Sequence, residues 1–90
     1  MAAKLHILKA GAEWCRPCVI MDAYIQQVVD SFNGDVELEK FDTGEDAARA
    51  TELKIMAIPV LIFSKEGKEV HRVVGVLGKD ALKEAISKLL

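Results

Sequence analysis

The chain has two cysteines, Cys15 and Cys18, set between a short apolar run and a helical pattern. Residues three apart share a helix face and nearly touch. Two thiols so placed can close or open a small disulfide ring with little backbone movement. The run Leu5-His6-Ile7-Leu8 reads as a buried strand that Lys9 and Gly11 end. The pair therefore falls in the turn from a strand into the first turn of a helix. There, free N–H groups and the positive end of the helix dipole favour an anion. Cys15, at or just before the helix start, is expected to hold the more acidic thiol, and the thiolate is the nucleophile. Arg16 adds a fixed positive charge, and Trp14 a large apolar cover. Pro17 sits in the first turn, where its missing N–H costs nothing. Cys18, one turn further in, is expected to be more buried and to keep its proton longer. On this reading Cys15 attacks a disulfide and Cys18 resolves the mixed disulfide.

Two blander uses of the pair are weaker. A zinc site needs four ligands, and the only histidines, His6 and His71, lie far apart with no ligand spacing between them. A structural disulfide closing so short a loop would remove little entropy from the unfolded chain.

Ninety residues suit one domain, 1–90, and 51% apolar residues suffice for a core. The net charge of −2, with no basic run, argues against nucleic acid. No apolar segment approaches membrane-spanning length. The stretch Met1-Ala2-Ala3-Lys4 lacks the apolar core of a leader. A cytoplasmic location is therefore expected, and there a close cysteine pair is more often catalytic than structural.

From Cys15 to Phe32 the apolar spacing is helical, with Cys18, Met21, Ile25, Val28 and Phe32 on one face and Asp22, Gln26 and Asp30 on the other. Asn33-Gly34 suits a left-handed helix end. Val36–Phe41 reads as a second strand. Thr43 with Asp46 resembles a capping box for a short helix from Glu45 to Lys54, whose Ala47, Ala48 and Ala50 would pack closely on a sheet. The apolar run Val60–Phe63 suits a sheet centre covered on both faces, with Pro59 at its first position. Ser64–Lys68 reads as a hairpin loop, Glu69–Val74 as an edge strand ended by Gly75, and Lys79–Leu90 as a helix with Ala81, Leu82, Ala85, Ile86 and Leu89 inward. The order β-α-β-α-β-β-α gives an α/β domain. It predicts a mixed four-stranded sheet, its first strands parallel, with helices on both faces.

Over nearly its whole length the chain resembles the thioredoxin family. Trp14-Cys15-Arg16-Pro17-Cys18 is similar to the family's Trp-Cys-Gly-Pro-Cys. Ile58-Pro59 is similar to the Ile-Pro that precedes a central strand, where the proline is cis. Gly67 and Gly75 stand where the family has its hairpin glycine and its glycine beside the site. The resemblance implies a minimal thioredoxin fold and a thiol–disulfide oxidoreductase that needs no metal or organic cofactor. It implies a loop at Ile58 and Pro59 beside Cys15, with backbone groups that pair with an extended substrate chain as an added strand would. A flat apolar patch of Trp14, Ala57 to Pro59, Val74 and Gly75, with Arg16 and Pro17 beside it, would dock protein disulfides. A thioredoxin reductase or a small thiol would restore the dithiol, and a monomer is the expected state.

The departures carry expectations of their own. The sequence starts almost at the central strand, so it is expected to lack the family's N-terminal strand and helix. Arg16 replaces a glycine and is expected to make the disulfide more oxidising. Gly11 stands where a second tryptophan is common. Lys9 occupies the position of the family's buried aspartate, while Lys40 keeps that of its buried lysine partner. Lys9 is expected to be solvated, to snorkel to the surface, or to meet an acid such as Glu39. If it lies beneath the site its charge favours the Cys18 thiolate, and proton transfer uses water or Glu13. Two other functions remain open: a glutaredoxin-like oxidoreductase recycled by glutathione, and a non-catalytic binding module on the same fold.

Overall fold

The computed structural model describes residues 3–90; Met1 and Ala2, part of the stretch read above as lacking a leader's core, lie outside them. The elements are β1 (Leu5–Gly11), α1 (Arg16–Asp30), β2 (Val36–Asp42), α2 (Ala47–Glu52), β3 (Val60–Lys65), β4 (Lys68–Val74) and α3 (Lys79–Leu89). They form one four-stranded sheet in the order β2-β1-β3-β4. β1 pairs with β2 in parallel, and β3 is antiparallel to both β1 and β4. The mixed sheet and the element order are those the sequence predicts. No helix among the described residues is long and apolar enough to cross a membrane.

Alternation along the two central strands builds two cores, because successive strand residues point to opposite faces. Leu5, Ile7, Leu61 and Phe63 meet Met21, Ile25 and Val28 of α1 and Leu82 and Ile86 of α3. Leu8, Ala10, Val60 and Ile62 form the other face, covered by Phe41, Leu53 and Ile55. The same alternation turns Lys9 and Gly11 toward α1.

Several local expectations change. β1 does not stop at Lys9 but runs through it to Gly11. α2 begins at Ala47, capped by Asp46, whose side chain accepts the Arg49 N–H. Thr43 takes no part in that cap: its hydroxyl donates to the Gly11 carbonyl, while the Asp42 carboxylate accepts the N–H groups of Gly44 and Glu45. These local bonds offer the backbone an alternative to helix. Only Ala50 of the three α2 alanines is buried, and Ala81 of α3 is exposed. The β3–β4 connection is a two-residue turn, Glu66-Gly67, rather than a five-residue loop. Both residues take positive φ, 53° and 80°, the geometry that matches strand twist in a tight hairpin.

Glu39 shows how an outer-strand charge is held. Arg49 donates to it at 2.8 Å, and that hydrogen bond, ahead of the charge attraction, lowers the Glu39 pKa. A carboxyl lowered in the folded state stabilises the fold above its unfolded pKa and loses that contribution as pH falls through the folded value. Both partners are partly solvated, so the increment is under about 1 kcal/mol. Glu39→Gln is expected to lower Tm slightly near neutral pH and to converge with the parent protein in acid. Thermal melts from about pH 7 to about pH 3 check this, and a constant offset across that range would refute it.

Candidate active site

Cys15 is the N-cap of α1. Its sulfur accepts the Cys18 N–H at 3.3 Å, and the Cys15 carbonyl accepts the Val19 N–H at 3.1 Å. An unpaired N–H at the helix mouth thus points at this sulfur, as an anion there requires. Arg16 and Pro17 fill the first turn, both exposed, and Arg16 makes no ion pair among the described residues. The two cysteines are joined as a disulfide, their Cα atoms 5.3 Å apart. Both are buried, Cys18 (1% exposed) slightly more than Cys15 (5%).

Ile58 packs on Ala12, Cys15 and Cys18. The Ile58–Pro59 peptide bond is cis, and the buried Pro59 leads directly into β3. The Gly75 N–H donates to the Pro59 carbonyl at 2.8 Å, which ties the end of β4 to this loop. Around the pair the surface is apolar and open. Trp14 is 79% exposed, Met56 97%, Val74 63% and Val76 50%, and Ala57 is exposed beside them. A shallow hollow of about 190 Å³ runs between Trp14 and the 55–58 segment. Met56 carries no signal of a surface role in the sequence; it joins this surface because it neighbours Ala57 and Ile58 in the segment that lies across from Trp14.

The charged groups depart most from expectation. Lys9 is neither solvated nor paired with Glu39. It is 4% exposed, and its ammonium lies 2.8 Å from Asp22 Oδ1. It also donates to the Cys18 carbonyl at 3.1 Å. Glu39 is taken by Arg49 and His6 instead. Lys40 is exposed rather than buried and reaches the same Asp22 oxygen at 3.4 Å. Lys9 and Lys40 are direct neighbours across β1 and β2, and one carboxylate from α1 bridges them. Asp22 Oδ1 is itself buried and makes no well-directed hydrogen bond, so its partners are the two ammonium charges. Glu13 stays exposed; its N–H donates to Asp42 Oδ2 at 3.1 Å. Asp22, read from the sequence as a water-facing residue, is therefore a member of the site. The available signal is its spacing, four residues after Cys18 and on the same side of the helix. The histidines are separate: His6 pairs with Glu37 and Glu39, and His71 lies against Phe63. No cluster of metal-ligating side chains occurs among the described residues.

A cysteine pair at a helix mouth, backed by a cis-proline loop on a β-α-β-α-β-β-α frame, defines a thiol–disulfide oxidoreductase centre. The sequence matches the Thioredoxin family model over residues 1–88. It is 37% identical over 86 residues to Thioredoxin H2 of Arabidopsis thaliana, covering 96% of this chain and 63% of that protein. It is 34% identical over 86 residues to a thioredoxin of Staphylococcus saprophyticus, covering 96% of this chain and 83% of that one. The solved structure of Fasciola hepatica thioredoxin superposes with a TM-score of 0.88 at 27% identity, over 99% of this chain and 84% of that one. The chain belongs to the thioredoxin family, whose members are thiol–disulfide oxidoreductases acting on disulfide substrates.

Proposed function

We propose that the protein is a single-domain cytoplasmic protein disulfide reductase, a monomer that carries electrons from a thioredoxin reductase to protein disulfides and so serves redox homeostasis. The Cys15 thiolate attacks one sulfur of the substrate disulfide. A Cys15–substrate bond forms, the substrate S–S bond breaks, and the first product thiolate leaves and takes a proton from water. The Cys18 thiolate then attacks the Cys15 sulfur and expels the second product thiolate. The protein is left with the Cys15–Cys18 disulfide, and the reductase returns the two electrons. The observation that carries this reading is the Cys15 sulfur held as the N-cap of α1, with the Cys18 N–H directed at it.

The exposed apolar surface around the pair supports a protein substrate over a small thiol. The docking surface is assigned to Trp14, Arg16, Pro17, Ala57, Ile58, Pro59, Val74 and Gly75, and the packing of Ile58 on both cysteines supports that assignment. A docked chain would lie along Ala57 and Ile58 and use their backbone groups as a strand edge does. Turnover of a protein disulfide such as insulin, driven in parallel by a thioredoxin reductase with its nicotinamide donor and by glutathione, tests the proposal. Robust turnover with the reductase and little with glutathione is expected. The reverse would make the protein glutaredoxin-like, and no turnover with either, nor with dithiothreitol, would make it a binding module.

A further inference from the structure

The buried ammonium beneath the disulfide has no part in the attack by Cys15. Taking a lysine out of water is costly unless charge and hydrogen bonds compensate. Here the compensation comes from Asp22 Oδ1 and from the carbonyl of Cys18. The second contact places the cation on the resolving cysteine. Gly11 locates it further: a Cβ built there would lie 3.1 Å from Lys9 Nζ and 3.2 Å from Cys18 Sγ. Ammonium and sulfur thus flank one small space, and only glycine leaves it open. On the ammonium side, Lys9, Gly11, Asp22 and Lys40 line a hollow of about 470 Å³ that opens to solvent.

We propose that Lys9, anchored by Asp22, is a positioning residue for the resolving step: its ammonium stabilises the Cys18 thiolate that attacks the Cys15 mixed disulfide. The charged groups lining the hollow are Lys9 on β1, Asp22 on α1 and Lys40 on β2, with Glu13, Asp42 and Glu45. Lys9 and Lys40, which both contact Asp22, sum with it to a single positive charge. The Cys18 proton goes to water, and the electron pair of the new S–S bond comes from the Cys18 sulfur. The resolving thiol is thus activated by a cation, and Asp22 serves as the cation's counter-ion rather than as a base.

The inference rests on Cys18 being the resolving thiol, so the first readout is independent of turnover. In a Cys15→Ser background the Cys18 thiol is titrated by thiolate absorbance, with Lys9→Met and Asp22→Asn added singly. A charge a few ångströms away moves a pKa by about a unit or more. Lys9→Met is expected to raise the Cys18 midpoint by about one unit, about tenfold less thiolate near pH 7. Asp22→Asn is expected to lower it, because the cation loses its counter-ion. A purely structural role would change melting temperature without opposite shifts. An unmoved midpoint in Lys9→Met, or a raised one in Asp22→Asn, would overturn the proposal. Lys9→Gln repeats the test should Lys9→Met fold poorly. With Cys15 restored, Lys9→Met should slow release of the second product about threefold near pH 7, the smaller thiolate fraction being partly offset by its greater nucleophilicity, and recover at higher pH. Opposite midpoint shifts without that slowing would overturn the cation's role in the resolving step, whereas continued product release from Cys18→Ser would refute Cys18 as the resolving thiol.

Discussion

Cys15→Ser is expected to reduce disulfide turnover to that of the reductant alone, a loss on the order of a thousandfold or more, as for removal of a covalent nucleophile. A serine hydroxyl at the same N-cap still accepts the helix N–H, so the fold should be preserved. Cys18→Ser should behave differently. The first attack still occurs, but nothing displaces the substrate, and a mixed disulfide with Cys15 accumulates. Mass spectrometry of each variant after incubation with a protein disulfide distinguishes the two cases. A trapped adduct in Cys15→Ser, with none in Cys18→Ser, would exchange the roles of the two residues.

Phe63→Ala is the second large effect, and it acts on the fold. Phe63 is fully buried in β3 and packs in the core shared by α1 and α3. β3 lies between β1 and β4, so a cavity there adjoins both strands and both helices. Truncating a buried phenylalanine costs roughly 3–5 kcal/mol, against a total stability of about 5–15 kcal/mol for a typical domain. The variant is expected to lose a large share of its stability in urea unfolding and to melt well below the parent. A change under about 1 kcal/mol would mean that this core is not where the sheet and its helices are joined.

Residues whose pattern is local were read well from the sequence. The period of α1, the apolar run of β3 and the thiol pair each announce themselves within one element, and Ile58-Pro59 stands just before a central strand. What escaped depends on contacts between elements. Lys9 interrupts an apolar run and therefore resembles a strand end. It stays in the strand because Asp22, thirteen residues later on another element, neutralises it. Asp22 in turn looks solvent-facing because its own helix offers it no partner; β1 and β2 supply both. The start of α2 was misplaced because Asp42 competes for the N–H groups that the expected helix would have left free. Glu39 looked available to Lys9 by proximity, but it lies on the strand edge near Arg49, which takes it.

The most direct measurement is the rate of alkylation of the fully reduced protein at about pH 7, with the modified position identified by peptide mass. Iodoacetamide should label position 15 at least tenfold faster than position 18, because the thiolate at the helix mouth is both more populated and more accessible. Equal rates, or faster labelling at position 18, would contradict the account.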